Sequence, residues 1–304
     1  MAFMAFSTIP GGTLEGSSGV CMPSPNQWTL SPSLSFAAAL GLISLCVMLS
    51  IGLNARFSLI PGTGVLYATM FLIAQGAIPW TNARLSSALI LLSVSLICTH
   101  ILFSLYGQRN AAKGIFVIFS TLSWGAMIQY AFVLLIPIFL LGALFLSVLR
   151  IKEIGAAILG IIAPFWITIG LGIISPQEIN FPTLTNLFYS FTSPGSLFFL
   201  LITLCFASIL ILLLTASNTL APSSTGQQHR SYYAFINLLG TAMVWYMLFD
   251  ASNMLAYSSI LMSCLGFQTA RYAAIPRHRF AYLPVIIAIP SLISLFIITI
   301  NSQQ

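Results

Sequence analysis

Charged side chains are scarce in this chain. Lys, Arg, Asp and Glu make up 5% of its 304 residues, against 59% for hydrophobic types. A soluble domain carries about 25% charged residues. Ten Lys and Arg with four Asp and Glu cannot cover the surface of a soluble fold of this length. Acids are the rarest group, so carboxylate-based metal binding and acid–base chemistry have few carriers. The sequence also lacks a Walker A motif, an HExxH, a CxxC pair and a GxSxG. No metal and no cofactor is expected.

Cysteine is also sparse. Cys46, Cys98, Cys205 and Cys264 fall inside apolar segments, where they read as small packing residues. Cys21 stands alone in a polar stretch, so no disulfide framework is expected. Residues 1–33 lack a basic segment followed by a long apolar one, so no signal peptide is expected there. Val20 precedes Cys21 with no apolar run before it, which argues against a lipoprotein signal. Rich in Ser, Pro and Gly, residues 1–33 read as a disordered polar tail.

What the chain has in abundance is long apolar runs. They are continuous and do not alternate, which selects helices over a transmembrane barrel. The expected fold is all-α: a polytopic transmembrane helical bundle forming a single domain over residues 34–304. Clear runs are Leu34–Leu53, Leu59–Ile78, Leu85–Leu105, Ile154–Ile174, Ser196–Ala216 and Phe280–Ile300. Two longer runs, Gly114–Leu149 and Ala234–Ala270, would each make a single helix of about 54 Å. A hydrocarbon core is about 30 Å thick, so each run must cross once with much overhang, or twice as a hairpin.

Positive charge decides between these. Cytoplasmic loops carry an excess of Lys and Arg. With both long runs folded as hairpins and both termini outside, the chain has about ten helices. Arg56, Arg109, Lys113, Arg150, Lys152, Arg230, Arg271, Arg277 and Arg279 then lie inside, and Arg84 alone lies outside. That split is nine against one. Making both runs single crossings lowers it to six against four. The net charge of +6 therefore reads as topology, with no nucleic-acid partner implied. The hairpins turn near Gly125–Gln129 and at Asp250.

Few polar residues remain as functional candidates. Asp250 interrupts "MVWYMLFDASNMLAY", closely followed by Asn253. It reads either as a cap in a tight outer turn or as an acid at the base of an outward cavity. Arg84, in "PWTNAR", is its natural cationic partner. Gln129 and Tyr130 mark the matching turn, and Trp80, Trp124, Trp245 and Tyr246 fall in an outer aromatic belt. Glu178 lies in a long outer loop, "SPQEINFPTLTNLFYSFTSPG". Pro164 and Trp166 share a Gly-rich run that reads either as close helix packing or as a broken helix lining a site.

The block "QYAFVLLIPIFLLGALFLSVLRIKEIGAAILGIIAPFWITIGLGII", with "LNARFSLIPG" and "AIPW", resembles a recurrent block in uncharacterised multipass inner-membrane proteins of Bacteroidetes-type bacteria. The resemblance implies a bacterial inner-membrane location and no particular activity. The arrangement is also distantly similar to membrane glycosyltransferases that use polyprenyl-phosphate sugars. Those enzymes carry an acid in their first external loop; neither "NARF" nor "PWTNAR" has one here.

Three functions remain open at this point. One is a non-catalytic or accessory component of the cell envelope, with the lipid bilayer and other envelope proteins as partners. Another is a glycosyltransferase-like enzyme acting on a lipid-linked glycan. It would use Asp250 or Glu178 as base and Arg84 for the phosphate; Arg84, Gln129, Tyr130, Asn253 and Trp166 are the candidate binding residues whichever function holds. The third is a transporter of a small neutral or lipid-like solute.

Overall fold

The computed structural model describes residues 31–60, 64–173, 196–220, 226–250 and 253–274, with shorter pieces between 19 and 28 and between 289 and 297. The described elements are helical. In chain order they are α1 (Pro32–Phe57), α2 (Gly64–Gly76), α3 (Pro79–Ala83), α4 (Ser87–Ser104), α5 (Ala112–Ile128), α6 (Ala131–Phe145), α7 (Ile151–Gly170), α8 (Ser196–Leu220), α9 (Gln227–Phe249) and α10 (Met254–Ala274). Helices α1, α4, α7 and α9 are long and apolar enough to cross a membrane.

Local chemistry sets the helix boundaries. Ser31 caps α1, its Oγ accepting from the Leu34 N–H, and Pro32 occupies the first turn where its missing N–H costs nothing. The helix ends at Ser58, whose left-handed backbone (φ 47°) returns its N–H to the Asn54 carbonyl. The apolar run Leu59–Ile78 forms a shorter helix than its length suggests. Ile78, immediately before Pro79, is extended, because the proline ring disfavours helical backbone in its predecessor. The chain then re-enters a single turn, α3.

Both long runs break. Helix α5 ends at Ile128, Gln129 is extended, and α6 begins at Ala131. Helix α9 ends at Phe249 and α10 begins at Met254. Contacts at the helix ends show that each pair doubles back. Gly142 near the end of α6 lies against Phe235 near the start of α9 and Leu102 near the end of α4. Gly114 at the start of α5 lies against Leu105, just past α4. The Phe57, His100, Phe103 and Tyr232 rings meet at this same end. Gln129, by contrast, reaches Asn253 at the opposite end.

The bundle therefore has a basic end and a turn end. Arg56, bonded to His100, and Arg271, 3.5 Å above the Tyr233 ring, lie at the basic end. Arg109, Lys113, Arg150, Lys152 and Arg230 flank helix starts there. Arg84 closes α3 at the turn end, where the next residue, Leu85, donates to Ser35 at the start of α1. Arg277 and Arg279 fall outside the described residues.

Helix α10 is the hub. Met254 and every residue from Ala256 to Tyr272 are buried, and it packs on α2, α4, α8 and α9. Ser258, Ser259, Ser263, Gly266 and Ala270 let neighbours approach closely. Because α10 is buried on all sides, its serines, Gln268 and Thr269 meet other helices.

Helix α7 is peripheral and lies along α5. It runs unbroken through Pro164, and the Thr168 hydroxyl donates to the Pro164 and Phe165 carbonyls. Gly160 is the closest approach: a Cβ there would meet the Phe116 carbonyl oxygen at 2.8 Å. The helix is not broken at Pro164, and close packing holds at Gly160 alone: Gly170 and Gly172 have nothing within 4 Å of where a Cβ would stand. Its opposite face is open, and Trp166 is 77% exposed.

Part of the tail expected to be disordered is seated on the bundle. The Val20 and Met22 N–H groups donate to the Ala126 and Met127 carbonyls at the end of α5 (3.2 and 2.9 Å). These carbonyls lie in the last helical turn, which has no further turn to bond. Gly19 is required here, since a Cβ would fall 2.0 Å from the Met127 oxygen.

Candidate functional site

The turn end holds a chain of buried polar groups. Asp250 is the C-cap of α9, and its N–H donates to the Tyr246 carbonyl at 2.8 Å. Its Oδ2 accepts two hydrogen bonds, from Asn253 Nδ2 at 2.7 Å and from the Tyr257 hydroxyl at 2.8 Å. Asn253 Oδ1 in turn accepts from Gln129 Nε2 at 2.7 Å. Gln129, Asp250, Asn253 and Tyr257 are all at most 2% exposed. Three helix ends are thereby tied together: α5 through Gln129, α9 through Asp250, and α10 through Asn253 and Tyr257.

The order of donors and acceptors follows from the carboxylate. Oδ2 accepts, so Asn253 must turn its NH2 toward it. Asn253 then offers its carbonyl to Gln129, which must donate. Gln129 Oε1 points away and is buried with no hydrogen-bond partner. Such an orphan acceptor costs stability that the rest of the chain must offset.

The sequence-predicted residues divide clearly. Gln129, Asn253 and Asp250 come together. Tyr130 begins α6 beside them and is half-buried. Arg84 does not join this hydrogen-bonded chain; it is half-buried at the end of α3, with its Nε buried and lacking a hydrogen-bond partner. Trp166 faces outward on α7, away from the α5–α7 contact. Glu178 lies outside the described residues. Tyr257 is the member that sequence reasoning missed. In an apolar helix near a turn a tyrosine reads as part of an interfacial belt, and nothing marks it as a carboxylate partner.

Trp124, Trp245 and Phe249 are exposed near the turn end, with Trp245 and Phe249 stacked at 6.1 Å. A cavity of about 30 Å³ lies deeper in the bundle, lined by Tyr67, Ser95, Thr99, Ser263 and Phe267 among others. That volume suits one water and is far below a substrate pocket. Its Ser95 and Thr99 hydroxyls already donate to carbonyls of their own helix.

These features define, over the described residues, a helical protein with four helices long and apolar enough to cross a membrane, in which a buried polar chain joins three helix ends. Compared with protein-family models, curated proteins and solved structures, the chain matches none of them.

Proposed function

We propose that the chain is a non-catalytic, accessory component of the bacterial inner membrane that acts by binding other envelope proteins or lipids. In this reading it crosses about ten times with both termini outside, and the basic end faces the cytoplasm. The separation of seven described cations from Arg84 supports that orientation. The short hairpin helices fit it too. Helix α6 has 15 residues, about 23 Å, so its turn with α5 sits below the outer surface of a core about 30 Å thick. Gln129 and Asp250 then lie at a depth where unpaired polar groups are costly.

One observation carries the non-catalytic reading. Asp250, the acid best placed for chemistry, is 1% exposed, and its Oδ2 is occupied by Asn253 and Tyr257. A general base needs a free oxygen within reach of substrate. Asp250 instead acts as the acceptor that fastens α9 to α10 and, through Asn253, to α5.

The test is Asp250→Asn, which keeps an oxygen that can accept both bonds. The glycolipid profile of cells carrying the variant should match wild type, with a small loss of protein stability. A changed glycolipid profile at unchanged stability would support the glycosyltransferase reading and overturn this one.

A further inference from the structure

We infer that the basic end of α5 and α7 is a binding site for an anionic phospholipid, its headgroup on four cations and its acyl chains along α7. The inference rests on the chain being a membrane protein, but not on which face is inside.

Helices α5 and α7 lie side by side and parallel. Ser123 Oγ donates to the Ile161 carbonyl at 2.7 Å, and Gly160 sits against Phe116 and Phe119. This register places their first turns level with each other. Lys113 is in the first turn of α5, and Arg109 lies just ahead of it. Arg150 is the N-cap of α7 and Lys152 is in its first turn. All four are exposed.

These cations differ from others at the same end. Arg56 bonds His100 and Arg271 covers the Tyr233 ring. Arg109, Lys113, Arg150 and Lys152 make no hydrogen bond, ion pair or ring contact among the described residues. The nearby acid is Glu153, which is 2% exposed, with Oε2 lacking a hydrogen-bond partner. Four cations and one acid leave a local charge of +3 (4 − 1) at the mouth of two packed helices. No side chain caps either helix start, so the first-turn N–H groups add to the positive potential.

Apolar surface distinguishes a lipid from a soluble anion. Ile151, between Arg150 and Lys152, is 90% exposed. Ile154, Ile158 and Ile162 continue that exposed face along α7, and Phe116 and Val117 are also exposed on α5. A free phosphate would use the cations alone. A phospholipid uses both the cations and the apolar face, and basic pockets between membrane helices are the known setting for such headgroups.

The experiment uses the full chain in nanodiscs of mixed phosphatidylglycerol and phosphatidylcholine, which expose both faces. Native mass spectrometry after detergent extraction counts the retained lipids. Wild type should retain phosphatidylglycerol preferentially, and each Lys or Arg to Gln change at 109, 113, 150 or 152 should weaken this roughly fivefold. The quadruple variant should show no preference. Equal retention by wild type and quadruple variant overturns the site. Displacement of the lipid by millimolar inorganic phosphate would instead make it a soluble-anion site and overturn the lipid assignment. Thermal unfolding in pure phosphatidylcholine checks that the quadruple variant folds; if it does not, Lys113→Gln and Lys152→Gln are read singly. A chain that does not enter nanodiscs refutes the membrane reading itself.

Discussion

Replacing Asn253 with alanine should loosen the turn end in a measurable and specific way. Among the described residues, the Asn253 side chain donates to Asp250 and accepts from Gln129, each at 2.7 Å. A bond to a charged group contributes about 1.5–3 kcal/mol in proteins generally, and a neutral one about 0.5–1.5 kcal/mol. Bonds between membrane helices measure lower, about 0.6 kcal/mol on average and at most about 1.7. Asp250 would keep its bond from Tyr257, which limits the loss. These ranges put Asn253→Ala at roughly 2 kcal/mol of destabilisation.

The informative quantity is the coupling between positions. Gln129→Ala alone removes the Gln129–Asn253 bond and also the buried orphan Oε1. Its cost should therefore be smaller, about 1 kcal/mol or less. After Asn253→Ala, the second change has no bond left to remove. The double variant should fall short of the sum by about 0.6–1.5 kcal/mol. Equilibrium unfolding in mixed micelles on the four proteins of the cycle gives this number. Additivity within about 0.3 kcal/mol would mean that Gln129 and Asn253 do not interact, and the linkage of the two hairpins would be wrong.

Other substitutions probe single contacts. Gly160→Leu forces a side chain onto the Phe116 carbonyl and should cost at least about 1–3 kcal/mol in thermal or chemical unfolding. Gly155, with open space within 4 Å of where a Cβ would stand, should accept leucine with a change below about 0.5 kcal/mol. Trp166→Ala should be similarly silent in stability, because the ring is 77% exposed; a large loss would place that face in a contact within the fold. Gly19→Ala should detach the tail, seen as fast hydrogen exchange at Val20 and Met22 where wild type is protected.

The hairpins are legible in the sequence because charge and length act together. Lys113 and Lys152 flank a run too long for one crossing, and placing both on one side requires a turn between them. Gln129, Asn253 and Asp250 stand out because polar residues are rare in apolar runs and each must be satisfied when buried. Their mutual contact is not legible: Gln129 and Asn253 are 124 positions apart, and only the packing of α5 against its neighbours brings them together. Charge alone pairs Arg84 with Asp250, but the carboxylate finds neutral donors from its own hairpin first. Seating of Gly19, Val20 and Met22 is hidden for a different reason. It depends on backbone carbonyls at the end of α5, and composition carries no signal for those.

The whole arrangement rests on Gly114–Leu149 crossing twice, with its turn at Gln129 on the face opposite Arg109 and Lys152. Fusing a topology reporter after residue 126, and separately after 110 and 152, measures this directly. The fusion at 126 should report the periplasm, and those at 110 and 152 the cytoplasm. A cytoplasmic signal at 126, or opposite signals at 110 and 152, would contradict the hairpin and the arrangement built on it.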